Sequence, residues 1–188
     1  MDARWRIRQA AGLLALCLAG VVHASPTIGA PPPVDLIGTT PEGEQIRISD
    51  HRGKVVVVSF WASWCGYCRR QFPLLDHLQK EAGREQLRVV LVNYQESPTD
   101  YRKIRRALRT STVTWTHDPD GALSDAFEVR GVPHMLVFDK AGDLAAVRNG
   151  YSGDPAPTIE LINALLAEPA PSTPVPEEAA PPATGEGT

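Results

Sequence analysis

The stretch VVVVSFWASWCGYC, residues 55–68, decides the fold. Its four consecutive valines predict a strand that is buried on both faces, because such strands are continuous apolar runs rather than alternating patterns. Directly after this strand, apolar residues return at helical spacing and predict a helix from about Gly66 to Ala82. The two cysteines of the stretch therefore lie where a buried strand gives way to a helix.

On both sides of this stretch, strand and helix patterns alternate. Turn residues between short apolar stretches predict a hairpin within residues 34–50, and buried strands then alternate with helices as far as residue 127. A second hairpin is predicted at residues 134–149 and a closing helix at about 157–167. This order predicts a mixed sheet with helices on both faces, and therefore an α/β domain.

The amino end of the chain has the composition of an export signal. Three arginines precede an apolar run over residues 10–22, and this pattern predicts a signal peptide over residues 1–24 that is cleaved before Ser25. An uncleaved membrane anchor through residues 10–22 is the competing interpretation, although this run is shorter than the roughly 20 residues that span a bilayer. Export predicts a periplasmic location of the Gram-negative type, where disulfides form and persist.

The remaining chain divides into three parts by composition. Residues 25–33 are interpreted as a flexible lead-in, and residues 34–168 as one domain. Residues 169–188 are rich in Pro, Ala and Glu, and are interpreted as a disordered tail because they have little apolar surface to bury. Counted from Ser25, 16 basic and 21 acidic residues give a net charge of −5. This mild acidity argues against a nucleic-acid partner.

Once the signal peptide is removed, Cys65 and Cys68 are the only cysteines. Residues three apart are neighbours on a helix, close enough for a disulfide that opens and closes locally. A structural staple is the alternative, but closing a loop of about four residues stabilises a fold by only about 2 kcal/mol. A structural zinc site needs four ligands, and haem attachment needs a histidine at position 69, which is Arg69. Redox chemistry is the remaining interpretation.

The position of Cys65 predicts its role in that chemistry. At the amino end of a helix, free N–H groups and the positive end of the helix dipole stabilise a thiolate, which is the attacking form of cysteine. Cys68 lies one turn deeper, so it is predicted to be shielded and to resolve the mixed disulfide. We therefore predict that the two cysteines are the catalytic residues, and that their redox-active disulfide works with no other cofactor.

The motif FWASWCGYC at residues 60–68, together with GVP at residues 131–133, resembles the thioredoxin superfamily. The predicted hairpin, RGK at residues 52–54 and QFP at residues 71–73 resemble, more narrowly, its exported TlpA/ResA branch of DsbE-like and CcmG-like proteins. The resemblance covers about residues 34–167. It implies a thioredoxin-like fold, in which a central mixed sheet is flanked by helices and extended by an N-terminal β-hairpin.

The resemblance also implies which residues surround the cysteines. Pro133 is expected to follow a cis peptide bond beside the cysteines, which leaves the main chain of Val132 free to pair with an extended substrate. Trp64, Gly66 and Tyr67 belong to the same site. The two aromatic residues are expected to form an apolar rim on which a partner docks.

Three features depart from the pattern of the family. Gln71 stands where many TlpA/ResA-like reductants carry a glutamate, and Ser59 stands where thioredoxin has a buried aspartate, so both usual carboxylates for proton transfer to the buried thiol are missing. Glu96 is a candidate substitute, and a solvated loop residue is the alternative interpretation. The GY dipeptide between the cysteines resembles that of exported disulfide isomerases, which leaves the direction of electron flow open.

His134 follows Pro133, and we expect it close to the sulfurs. Three interpretations compete: a strand residue that points away, a residue that tunes the pKa of the thiolate, and a copper ligand together with Cys65 and Cys68. The second and third would give the imidazole a functional role.

The leading hypothesis is a periplasmic thiol-disulfide oxidoreductase that exchanges electrons with protein dithiols and disulfides. By analogy with the branch, it is expected to be a reductant in cytochrome c or copper-site maturation. A thiol reductant or oxidant in the membrane or the periplasm is expected to reset the cysteine pair. A disulfide oxidant or isomerase on the same fold, and a copper-binding thioredoxin-like carrier, are the alternatives.

Overall fold

Seven strands form one mixed sheet in the computed structural model, which describes residues 25–171. The strands are β1 (Leu36–Thr39), β2 (Gln45–Arg47), β3 (Val55–Trp61), β4 (Leu87–Tyr94), β5 (Thr114–Asp118), β6 (His134–Phe138) and β7 (Leu144–Asn149). The helices are α1 (Gly66–Ala82), α2 (Pro98–Ala107), α3 (Ala122–Ala126) and α4 (Ala156–Ala167). Within the described residues, no helix combines the length and the apolar character needed to cross a membrane.

The strand order across the sheet is β2-β1-β5-β4-β3-β6-β7. β4 lies parallel to both β3 and β5, whereas the other neighbours are antiparallel. The hairpin of β1 and β2 extends the sheet beyond β5, and the hairpin of β6 and β7 closes the other side. The predicted mixed sheet with an N-terminal hairpin is therefore confirmed.

β3 is an interior strand between β4 and β6, and all seven of its residues are buried. Val55 and Val57 join a core cluster with α1 and α4, whereas Val56 and Val58 join a second cluster on the opposite face of the sheet. Each fully buried valine contributes about 1.5 to 3 kcal/mol. The run of four valines thus supports both layers at once, and it leads directly to the cysteines.

Helix α1 is fixed to the sheet near its carboxyl end. The side-chain amide of Gln79 donates to the carbonyl of Leu87 at 2.5 Å and accepts from the N–H of Val89 at 2.8 Å. The helix ends at Gly83, whose φ of 73° suits glycine and whose N–H donates to the Gln79 carbonyl. These contacts hold the helix against β4, so the position of its first turn is set by the core.

Residues before the hairpin lie against β7, the last strand of the sheet. The N–H of Gly29 donates to the carbonyl of Leu144 at 2.8 Å, and the N–H of Leu144 donates to the carbonyl of Ala30 at 2.9 Å. The predicted signal peptide, residues 1–24, lies outside the described residues, as does most of the predicted tail. The bounds proposed for the lead-in, the domain and the tail stay predictions.

Candidate active site

Cys65 and Cys68 form a disulfide at the amino end of α1, with their Cα atoms 5.3 Å apart. Cys65 caps the helix: its Sγ accepts a hydrogen bond from the N–H of Cys68 at 3.0 Å. The first turn of α1 contains no acidic residue. The positive end of the helix therefore acts on Cys65 with no opposing acidic residue in the first turn, which favours the thiolate form of Cys65.

The two sulfurs differ in exposure. Cys65 is 5% exposed and Cys68 is fully buried. A partner that approaches from solvent consequently reaches Cys65 first, and Cys68 is left to act within the molecule. This difference in exposure is the one expected if Cys65 attacks the substrate and Cys68 resolves the mixed disulfide.

Ser63, two residues before the first cysteine, is held at three atoms. Its N–H donates to Glu96 at 2.6 Å and its hydroxyl donates to the other oxygen of that carboxylate, while its carbonyl accepts from Arg69. The amide of Asn93 also donates to Glu96 at 2.6 Å. Glu96 is therefore not a solvated loop residue. It positions the segment that leads into the disulfide.

The Val132–Pro133 peptide bond is cis, as the resemblance implies. Val132 packs against the core cluster that contains both cysteines. Among the described residues, neither its N–H nor its carbonyl makes a hydrogen bond, whereas the Pro133 carbonyl accepts from Gly150 at 2.8 Å. Unpaired main-chain groups beside the disulfide can pair with an extended peptide.

A neutral polar pair, Ser59 and Gln71, lies between β3 and α1. The Ser59 hydroxyl donates to Gln71 Oε1 at 3.0 Å, and Gln71 Nε2 lies 4.0 Å from the sulfur of Met135. Ser59 is fully buried and Gln71 is 7% exposed. Ser59 and Gln71, the two positions where carboxylates were expected from the resemblance, thus form a hydrogen bond with each other, and Gln71 lies one helical turn from Cys68.

His134 lies on the other side of the sheet from the cysteines. Successive strand residues point to opposite faces, and the neighbouring Met135 belongs to the cluster that contains the disulfide. The His134 ring packs edge-on against Phe60, and burial lowers its pKa. Its Nε2 is buried with no hydrogen-bond partner among the described residues.

Of the three interpretations of His134, the structure supports a strand residue that points away from the sulfurs. The expectation that His134 lies close to them is wrong, because the alternation of the strand places Met135 on that face instead. Residues 25–171 contain no group of three His, Cys, Asp or Glu side chains that could hold a metal ion. The predicted copper set of Cys65, Cys68 and His134 is therefore not brought together.

Two aromatic side chains flank the disulfide at the surface. Trp64 is 66% exposed and Tyr67 is 58% exposed. Tyr67 stacks on Tyr151, which follows β7, with ring centroids 5.9 Å apart. Gly66 opens the helix between the cysteines, and a Cβ added there would meet no atom closer than 4.0 Å. The predicted apolar rim is thus present, and it extends to the loop after β7.

Sequence reasoning did not identify several members of the site. It missed the anchoring of Ser63, the stacking of Tyr151 on Tyr67, and the position of Met135 behind the disulfide. Each depends on a contact between residues far apart in the chain. Met135 is the one member that the sequence could have indicated. His134 and Met135 are neighbours on a strand, so their side chains point to opposite faces and one of them must face the cysteines.

The sequence matches known thioredoxin-like proteins. A family model described as Redoxin matches residues 27–165. Thioredoxin-like protein YneN of Bacillus subtilis is 31% identical over 113 residues, which cover 59% of this chain and 65% of YneN. Thiol-disulfide oxidoreductase ResA of Geobacillus kaustophilus is 27% identical over 116 residues, which cover 62% of this chain and 66% of ResA. The matched part thus spans just under two thirds of these relatives.

The fold also matches a solved structure. A crystal structure from Chlorobium tepidum, assigned to the thiol:disulfide interchange protein DsbE, has a TM-score of 0.66 at 29% identity. The match covers 74% of this chain and 98% of that chain. The predicted thioredoxin-like fold is confirmed, as is the resemblance to ResA-like and DsbE-like proteins.

Proposed function

Because the chain belongs to the redoxin family, we propose that it is a thiol-disulfide oxidoreductase whose redox centre is the Cys65–Cys68 disulfide. The observation that carries this proposal is the position of the disulfide. It caps the amino end of α1 and lies beside the main chain of Val132, whose N–H and carbonyl make no hydrogen bond within residues 25–171. Relatives named thiol-disulfide oxidoreductase and thiol:disulfide interchange protein support the same activity.

The reaction follows from the different exposure of the two sulfurs. In the reductive direction, the Cys65 thiolate attacks one sulfur of a substrate disulfide, whose S–S bond breaks while a mixed disulfide forms. The departing substrate thiolate takes up a proton. Cys68 then loses its proton and attacks Cys65 Sγ, which closes the Cys65–Cys68 disulfide and releases the second substrate thiol. Two electrons and two protons pass to the substrate in each cycle.

The finer role is a periplasmic reductant that serves cytochrome c or copper-site maturation. It is supported by the resemblance to the exported TlpA/ResA branch and by the predicted signal peptide over residues 1–24, which the described residues do not include. A membrane or periplasmic thiol partner would return the disulfide to the dithiol form. A copper carrier is not proposed, because His134 faces away from the sulfurs.

A disulfide oxidant or isomerase is the second candidate, and the neutral Ser59–Gln71 pair favours it. Without a carboxylate to accept its proton, Cys68 resolves a mixed disulfide less readily, and a mixed disulfide that persists suits isomerisation. The reduction potential separates the two roles, since known members run from about −270 mV for reductants to about −120 mV for oxidants. A value near the oxidising end would exclude the reductant role.

The activity itself is tested with the full chain and two single variants. Reduced wild-type protein should catalyse the reduction of insulin disulfides by dithiothreitol, and Cys65→Ser and Cys68→Ser should not. Cys68→Ser should accumulate a mixed disulfide that mass spectrometry detects. In this variant Cys65 still attacks insulin, but no thiol at position 68 is present to break the resulting bond. If Cys65→Ser accumulates the same adduct equally well, the assignment of the two roles is wrong.

A further inference from the structure

Two adjoining concavities lie on the surface beside the cis Val132–Pro133 bond and the first turns of α1, and neither is lined by Cys65 or Cys68. The larger, of about 520 Å³, lies between α1 and the loop after β7, and the smaller, of about 340 Å³, lies beside Val132. Both are lined by Asn149 and Gly150. We refer to the two together as the basic cleft, for the charges described next.

Three arginines line the basic cleft: Arg70 and Arg148 in the larger concavity and Arg130 in the smaller. Among residues 25–171, none of the three lies within 4.0 Å of a carboxylate. The Arg70 guanidinium lies over the Tyr67 ring, 5.4 Å from its centroid, and Arg148 donates to a main-chain carbonyl. Their positive charges are therefore available to a bound molecule.

The carboxylates that line the basic cleft already have partners. Glu128 accepts from the hydroxyl of Ser25 at 2.6 Å, and Asp154 accepts from the N–H of Ala156 at 2.9 Å near the start of α4. Neither carboxylate forms an ion pair with an arginine of the cleft. The three arginines outnumber the two carboxylates, so the lining has a formal charge of +1 on a chain whose overall formal charge is −3.

From this arrangement we infer that the basic cleft binds an acidic, extended segment of the partner protein next to the partner's reactive cysteine. The inference rests on the proposed exchange activity. Main-chain pairing at Val132 would hold the segment in an extended form and fix its direction. The wall formed by Tyr67 and Tyr151 then guides it between Arg70 and Arg148, where carboxylate side chains are the complementary groups.

The test compares three peptides that share one sequence except at the positions flanking a single cysteine. These positions carry Glu, Gln or Lys, and the cysteine is joined by a disulfide to the neutral thiol 2-mercaptoethanol. The reduced full chain transfers two electrons to this disulfide and releases peptide thiol and 2-mercaptoethanol. Stopped-flow rates are measured at low and high ionic strength, because salt screens exposed charges beyond about 10 Å at 0.1 M.

At low salt the Glu peptide should react roughly tenfold faster than the Lys peptide, and the difference should shrink as salt is added. The double variant Arg70→Gln/Arg148→Gln should lose most of this preference. The matched control Arg106→Gln/Arg109→Gln removes the same charge from exposed residues that line neither concavity, and it should keep the preference. Equal rates for the three peptides, or equal loss in both double variants, would overturn the inference.

The failure of this inference can be told apart from the failure of the proposed function. Oxidation of the reduced chain by an excess of the disulfide of 2-mercaptoethanol involves no peptide and no charged group; two electrons pass to that disulfide, and two molecules of 2-mercaptoethanol are released. If that reaction and all peptide reactions are absent, the proposed activity is wrong. If the disulfide of 2-mercaptoethanol reacts normally and the peptides show no charge preference, only the acidic-segment inference is wrong.

Discussion

Replacing Gln71 with glutamate tests whether the space behind the disulfide is dry and neutral. Gln71 is 7% exposed, and the two hydrogen-bond partners of its side chain among the described residues, the Ser59 hydroxyl and the Met135 sulfur, are neutral. Gln71 also lines the larger concavity of the basic cleft. Glutamate has nearly the same shape as glutamine. The substitution Gln71→Glu therefore changes the packing little, and the main change is the introduction of an ionisable group.

The expected magnitude follows from the cost of burying a charge. Burial raises the pKa of a carboxyl by up to 3–5 units when no compensating partner is present. Because the Ser59 hydroxyl still donates, we expect a rise of about two, which corresponds to about 3 kcal/mol of lost stability once the group must ionise. The pKa is raised on folding, so the variant should match the wild type below the unfolded value of about 4.3 and lose stability as the pH rises.

Urea denaturation of the oxidised full chain at pH 4.5 and pH 8 measures this effect. The exposed substitution Gln86→Glu adds the same group at the surface and should change the free energy of unfolding by less than about 0.5 kcal/mol at either pH. An equal loss for Gln71→Glu at both pH values would indicate a packing defect. No loss at pH 8 would show that water reaches this site, and the reasoning would be refuted.

Four further predictions concern groups around the site and the core. Burial raises the pKa of Asp76, but hydrogen bonds led by that of Lys80 outweigh it and hold the pKa at about 2. Asp76→Asn should therefore lower the free energy of unfolding by about 2 kcal/mol at pH 7 and by much less near pH 2 in urea titrations. The Tyr101 hydroxyl is buried with no hydrogen-bond partner in the described part of the chain, and burial raises its pKa to about 12, so Tyr101→Phe should leave the melting temperature unchanged or raise it. Burial lowers the pKa of His134, so wild-type stability should fall as the pH drops below about 6.5, and His134→Leu should reduce this loss between pH 7 and pH 5. Glu96→Gln keeps an acceptor but removes the charge, so insulin reduction should slow roughly threefold to tenfold, and Glu96→Ala should be slower still.

Local patterns in the sequence predicted the elements well. The valine run predicted the interior strand β3, and helical spacing placed α1 at the residues where the structure has it, because both signals come from residues close together in the sequence. The cysteine pair was identified for the same reason. These features depend on the order of residues and not on how distant segments meet.

The arrangement around the cysteines was less accessible. Ser63 and Glu96 lie 33 positions apart, and only the parallel pairing of β3 and β4 brings the loops after these strands together. The side of the sheet to which the His134 side chain points depends on the register of β6 against β3, in which His134 pairs with Phe60. Periodicity within one strand fixes which residues share a face, but only tertiary pairing decides which face meets the cysteines.

The contact of residues 29–30 with Leu144 has a consequence for solubility. An open sheet edge is a template on which another copy of the same chain can add a strand and begin to aggregate. At one side of this sheet the edge strand β2 is only three residues long. At the other side Leu144, the first residue of β7, is paired with residues 29–30. The short β2 and the pairing of Leu144 with residues 29–30 therefore reduce the unpaired backbone at the two edges, which lowers the tendency of the described domain to polymerise edge to edge at high concentration.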